Sequence, residues 1–284
     1  MKILVLMVVY NKKITETVTY NNLIKIKKKL PQLYVVVVDN STLEYHNENT
    51  AFPGDVKYIK MNGNAGLSKA YNTVLNYEIN DFNQNDLLVF LDDDTDVNIN
   101  YFKELIKDCD LNKETDIFAP IIKGQNNVIY SPNSSNFFKN NLISNLSDIN
   151  KIKKYNAISS CMAVRFKVFK NYRFDERLFL DEIDQKFFDD QRRLKRKFST
   201  LNIIINQNFH QRNSNLKSGP LWRRFKIRIR DIIIYGKIKG KRYCLLAYLK
   251  TNMLGIQFAA KTGDISIIKK TFGLSNYWLR KGIE

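Results

Sequence analysis

The chain has 284 residues, 44% of them apolar, and carries 46 lysines and arginines against 28 acids, for a net charge of +18. That apolar content builds a sizeable core and excludes a disordered basic chain. Cys109, Cys161 and Cys244 are odd in number and widely spaced, which excludes a disulfide framework or a cysteine zinc site and points to a reducing cytoplasm.

Met1-Lys2 runs directly into Ile3 to Val9, an apolar stretch short for a secretory leader and without a cleavage site, so it is predicted as the first strand. Tyr34 to Val38, Val56 to Met61 and Leu87 to Leu91 are three more short β-rich runs, separated by stretches of helical character. This βαβ rhythm predicts an α/β fold with a mostly parallel sheet covered by helices on both faces, which is what near-continuous apolar strands require. Open sheets of this kind bind ligands beyond the carboxyl ends of their strands. Each run here ends in polar residues: Tyr10-Asn11, Asp39-Asn40-Ser41, Asn62-Gly63-Asn64-Ala65-Gly66 and Asp92-Asp93-Asp94. Neither a G-x-G-x-x-G turn nor a phosphate-binding G-x-x-x-x-G-K-S/T loop is present, so a dinucleotide fold and a P-loop are unsupported.

Three adjacent carboxylates stepping off a buried strand call for a hard divalent cation, and Mg²⁺ is typically held by one or two carboxylates together with substrate phosphates. The competing reading is an acidic turn, with Asp94, Thr95 or Asp96 capping a helix that starts near Ile99.

In this order the motifs resemble those of a family 2 glycosyltransferase of the GT-A fold, in the bacterial polysaccharide branch that includes rhamnosyl- and galactofuranosyltransferases. The opening motif is matched by Val8-Val9-Tyr10-Asn11, the base-holding acid after the second strand by Asp39-Asn40-Ser41, and the N-x-G-x-x-x-A-x-N segment by Asn64 to Asn72. The DXD pair falls on Asp92 and Asp94. The resemblance covers residues 1–215 strongly and the tail weakly, through Phe272-Gly273-Leu274-Ser275 and Arg280-Lys281-Gly282. It implies a Rossmann-like, mostly parallel central sheet over 1–215, with 216–284 as a basic helical extension. It also implies a nucleotide-sugar donor held by Val9, Tyr10, Asn11, Asp39, Asn40, Asn64, Gly66, Lys69, Asp92 and Asp93, and Mn²⁺ or Mg²⁺ held by Asp92, Asp94 and His210.

The stretch Gly124 to Leu146 is rich in Asn and Ser and reads as an irregular loop, while Ala157 to Val164 reads as a strand on the acceptor side or in the core. Next comes Phe179-Leu180-Asp181-Glu182-Ile183-Asp184, acid-rich after apolar residues, ahead of a helix expected over Asp184 to Lys197. Sugar transfer with inversion needs a carboxylate to take the acceptor hydroxyl's proton, a role worth roughly 10²–10⁴ in rate. The resemblance assigns that role to the second member of the acid pair, Glu182, with Asp181 as fallback. An acid cluster in a helix first turn is the plain alternative.

From Arg212 to Arg242 there are eleven Lys/Arg against Asp231 alone. Trp222, Phe225, Ile229, Ile232 and Ile233 recur at helical spacing with Arg223, Arg224, Lys226, Arg228 and Arg230 among them, which describes a basic amphipathic helix able to lie in an anionic membrane interface over 216–242. The alternative is a helix packed on the body with a solvated basic face. A second basic run, Arg192 to Lys197, is expected on the same surface, and no nucleic-acid-binding signature accompanies either run. The expectations are therefore a cytoplasmic enzyme, peripheral on the inner face of the cell membrane, moving a sugar from a UDP- or dTDP-sugar to a lipid-linked or growing glycan, with homo-oligomerisation open. The other class of function is a non-catalytic, nucleotide-binding scaffold at the membrane.

Overall fold

The computed structural model describes residues 1–124, 127–207 and 218–282. The first half alternates as expected: β1 (Ile3–Val9), α1 (Val18–Lys27), β2 (Leu33–Asp39), β3 (Val56–Lys60), α2 (Leu67–Glu78), β4 (Leu87–Asp92) and α3 (Ile99–Leu111). β1 pairs in parallel with β2 and β4, and β2 with β3. Alternate residues of β1 serve two cores: Ile3, Val5, Met7 and Val9 face α1 and α3, while Leu4 and Leu6 face α2. A side-chain period of two under helices on both faces leaves no position for a polar residue, hence the continuous apolar runs. Asn98 caps α3, its side chain accepting from the backbone N–H groups of Asn100 and Tyr101. The capping role weighed for Asp94, Thr95 and Asp96 therefore falls to Asn98.

Beyond α3 come β5 (Ile117–Gly124), β6 (Ile129–Ser135), β7 (Asn140–Ile143), β8 (Tyr155–Asn156), β9 (Ala163–Arg165), α4 (Ile183–Arg193) and β10 (Phe198–Gln207). The sheet runs β3-β2-β1-β4-β9-β5-β6-β7, with β10 parallel beside β5 and β8 beside β6. The loop expected over Gly124 to Leu146 is largely β6 and β7. Its polar residues are held in the ladder, with Ser131 and Asn133 buried and Asn133 donating to the carbonyl of Tyr130 at 2.8 Å. The strand expected over Ala157 to Val164 is shorter than its composition suggests, because Cys161 takes a left-handed φ of 60° that turns the chain before β9.

Three helices end the chain: α5 (Ser218–Lys239), α6 (Lys241–Thr262) and α7 (Ser266–Arg280). α5 is embedded in the body. Ile229, Ile232 and Ile233 are 0% exposed, and Ile234 and Tyr235 join the core cluster of α2, α4 and β4. Phe225 lies 4.8 Å from Phe258 of α6, ring to ring. The apolar side of α5 is thus spent on protein, and the expectation that it lies in lipid fails for these residues. Of the Arg192 run, Arg192 pairs with Asp189 and Arg196 lies 3.7 Å from Asp116, while Arg193, Lys195 and Lys197 stand exposed. α6 and α7 come close in a seam, at Thr251 and Gly255 against Thr271 and Ser275, with Ile267 of α7 also buried, while Ala247 of α6 packs against Gly236 of α5. A Cβ on Gly255 would lie 2.7 Å from the Thr271 side chain, so the approach requires glycine. The Thr251 and Ser275 hydroxyls hydrogen-bond across the seam at 3.0 Å.

Candidate active site

The parallel strands deliver their polar ends to one edge. After β1, Asn11 sits in the left-handed region at φ 52° and its Oδ1 accepts from the backbone N–H groups of Thr42 and Leu43 at 2.9 and 3.2 Å. Asp39, at the end of β2, is buried and accepts from Ser41 N, Asn47 Nδ2 and Tyr58 Oη. Asn40 joins β2 to the next loop, donating to Asn64 Oδ1 at 3.1 Å and accepting from Ala65 N at 2.8 Å. These residues set the shape of the edge, while Tyr10 leaves its ring 46% exposed there. Lys69 stands exposed in the first turn of α2, whose N-terminus has no side-chain cap and so presents the positive end of the helix dipole.

At the end of β4 the three acids diverge. Asp93 pairs with Lys12 at 2.6 Å. Asp92 accepts from Gln207 Nε2 at 3.4 Å, and burial together with the charges of Asp94 and Asp93 pushes its carboxyl up to about 6. Gln207 Oε1 beside it is buried with no hydrogen-bond partner. A buried carboxyl pushed up by neighbouring carboxylates, next to an unpaired carbonyl oxygen, belongs to an oxygen-rich donor set suited to a hard divalent cation. Among the described residues no group of three His, Cys, Asp or Glu side chains converges as a ready cage, and His210 lies outside the described residues.

The acid-rich loop closes the other side, and the C-terminal helices hold it there. Asp231 of α5, 0% exposed, accepts from the backbone N–H groups of Phe179, Leu180 and Asp181 at 3.1, 2.7 and 2.8 Å. Arg224 of α5 grips both oxygens of Asp181, and Lys250 of α6 pairs with Glu182 at 2.8 Å. Glu182 takes a left-handed φ of 61° immediately before α4. The loop also meets the N-terminus of α2, where Leu67 N donates to Phe179 O at 2.6 Å. Gly66 turns there at φ 89°, and a Cβ on it would lie 2.8 Å from the Phe179 ring.

One acid was passed over in the sequence. Asp184, in the first turn of α4, accepts hydrogen bonds from the backbone and hydroxyl of Ser159, and burial plus the nearby charges of Asp92 and Asp181 pushes its carboxyl up to about 7. It is the member of the acid run that shares the Asp92 end of the cleft. The signal was legible: Asp184 is in helical phase with Phe187, Phe188 and Gln191, all buried, so it points inward while its neighbours turn to the tail.

The profile of glycosyl transferase family 2 matches residues 4–173. No curated protein matches the chain significantly. Among solved structures, S. aureus TarS superposes with a TM-score of 0.52 at 16% identity, covering 96% of this chain and 55% of TarS, so the chain spans about half the length of that relative. The mannosyltransferase PcManGT from Pyrobaculum calidifontis, in complex with GDP-Man and Mn²⁺, gives a TM-score of 0.54 at 10% identity over 98% of this chain and 85% of that one. Glucosyl-3-phosphoglycerate synthase from Mycobacterium tuberculosis, in complex with Mn²⁺, UDP and phosphoglyceric acid, gives 0.50 at 13% identity over 81% and 76%. At these identities the structural likeness establishes the fold.

Proposed function

The chain belongs to glycosyl transferase family 2, and on that premise we propose that it transfers a sugar from a UDP- or dTDP-sugar to a hydroxyl of a lipid-linked or growing glycan, with inversion at the anomeric carbon. The observation that carries the reading is the meeting of two acid groups across one cleft, Asp92 to Asp94 at the end of β4 and Asp184 at the start of α4, with Asp184 held near neutrality.

The donor's base and ribose take the edge formed by Val9, Tyr10, Asn11, Asp39 and Asn40, with the exposed Tyr10 ring as the stacking face. Asn64, Gly66 and Lys69 shape the turn at the N-terminus of α2, where the dipole and the Lys69 ammonium favour phosphate. Asp92 and Asp94 would hold Mn²⁺ or Mg²⁺, with His210 proposed as a further ligand and Asp93 kept in place by Lys12. When bound, the cation neutralises the charge that develops on the diphosphate leaving group. Asp184 then acts as general base: the acceptor oxygen bonds to the anomeric carbon, the bond from that carbon to the diphosphate breaks, and the hydroxyl proton passes to the carboxylate. Glu182 and Asp181, the candidates by sequence, are tied to Lys250 and Arg224 and serve as anchors for the loop.

Isothermal titration with UDP, dTDP and GDP, with and without Mn²⁺, followed by transfer assays on a panel of nucleotide sugars, tests the reading. Metal-dependent binding of one diphosphate and turnover of its sugar are expected. Binding with neither transfer nor donor hydrolysis would leave the scaffold role in its place.

A further inference from the structure

α6 is apolar on two opposite sides, and only one of them is covered. Its covered side packs against α5 and α7. On the outer side, Leu245, Leu249, Met253 and Ile256 recur every three or four residues and are 62%, 46%, 55% and 54% exposed. Ile265 and Phe272 of α7 are likewise exposed, and the Phe272 ring lies 5.9 Å from Tyr248 of α6, which joins the two helices into one surface. Exposed apolar side chains are ordinary when scattered, but a helix apolar all round is a helix with an absent partner.

Charge identifies the partner. From Lys241 to Gly282 there are eight Lys/Arg and one acid, Asp264. Lys241, Arg242, Lys261, Lys269, Lys270 and Arg280 are exposed along these two helices. A second copy docking through the same surface would set this rim against itself. An anionic lipid surface meets both demands, taking the apolar stripe below its headgroups and the cations among its phosphates. No described helix is long and apolar enough to cross a membrane, so the mode is lying on the surface.

We infer that the outer face of α6, with Ile265 and Phe272 of α7, is a docking surface for an anionic bilayer. This places the membrane contact on α6 and α7 in place of α5, whose Ile229, Ile232 and Ile233 are buried and whose Trp222 and Phe225 are half-buried. It also places the acid loop close behind the bilayer: Lys250 on α6 reaches Glu182, so the loop lies about one helix diameter, roughly 10 Å, from the docking face. The inference does not need the transfer reading, because lipid binding is measured without turnover.

The test is co-sedimentation of the full chain with phosphatidylglycerol–phosphatidylcholine vesicles, with pure phosphatidylcholine vesicles as control. The wild-type chain is expected to pellet only with the anionic vesicles. The pair Leu249→Glu and Met253→Glu, both at exposed positions and checked by circular dichroism for retained helix, is expected to cut partitioning at least about tenfold. A wild-type chain left in the supernatant at low salt, or partitioning unchanged in the Glu pair, overturns the inference. Release by Arg223→Gln, Lys226→Gln and Arg228→Gln on α5 with the Glu pair still bound overturns it as well. So does a dimer in light scattering that the Glu pair dissociates, since that would give the face to a second copy.

Discussion

The two sides of the cleft are built by different means. On the donor side, the polar ends of the strands brace one another within the sheet's own first hundred residues: Asn47 to Asp39 is 8 residues, Asn40 to Asn64 is 24, Thr42 to Asn11 is 31 and Lys12 to Asp93 is 81. On the acid side, the loop has few partners of its own and is held by residues 50 and 68 positions further along, Asp231 for its backbone at Asp181 and Lys250 for Glu182. The donor side is therefore a property of the sheet, and the acid side a property of the tail docked onto it. On the proposed assignment, a change in α5 or α6 is expected to alter turnover and leave nucleotide binding in place.

The strongest way to press this contrast is at the acid that the tail does not hold. Asp184→Asn keeps the size and the hydrogen bonds of the side chain but removes the proton acceptor, so kcat is expected to fall by about 10²–10⁴ with donor affinity kept. In the wild type, kcat/KM should rise with pH and level off above about 7, because the base acts only when deprotonated. An equal loss in Glu182→Gln, or a flat profile from pH 5.5 to 8.5, would return the base role to the ion-paired acids.

A smaller effect is expected where the tail grips the loop. Arg224→Gln with Lys250→Gln leaves Asp181 and Glu182 without their cations, and kcat should drop by about tenfold while nucleotide affinity holds, since loosening a catalytic group by about an ångström costs up to about 10²-fold. Calorimetric donor binding beside a transfer assay reads that split. Matched losses in both would mean that the two sides are one structural unit.

The smallest effect is on stability. The folded carboxyl of Asp184 lies at about 7 against about 3.9 for an unperturbed Asp, so the folded state binds its proton more tightly. That contribution is fully present below about pH 4 and is lost as pH rises through about 7. Asp184→Asn should accordingly raise Tm by a few degrees at pH 8, about 2–4 °C per kcal/mol for a chain of this size, and leave it nearly unchanged at pH 4. Thermal melts at the two pH values decide it.

The same contrast explains what could be read from the sequence. β1 to β4 and their polar ends were legible because each is a local pattern, an apolar run with a polar stop, and the sheet places those stops together by topology alone. β6 and β7 were missed because their buried polar residues, Ser131 and Asn133, are satisfied within the fold, which no composition reveals. The acid run Asp181 to Asp184 was visible, but which member faces the cleft depends on the partners that take the others. Arg224 was read as one of the cations of a basic amphipathic helix, and nothing local marked Lys250 as the partner of Glu182. Asp231 was read only as the lone acid of the basic run, and its carboxylate accepts from the backbone of the acid loop.

The seam between α6 and α7 bears on how such a hairpin behaves once its outer face leaves water. Soluble helix pairs are commonly held by large apolar side chains, whose attraction exists only because water excludes them. Here Ile267, Leu254 and Trp278 supply some of that, but the closest approach is glycine and hydroxyl side chains, Gly255 on Thr271 and the bond between Thr251 and Ser275. That is the packing used by helices within lipid, where exclusion by water is absent. The two helices would keep their grip on each other in either solvent, so one hairpin can be half in a bilayer interface and half against the protein without coming apart.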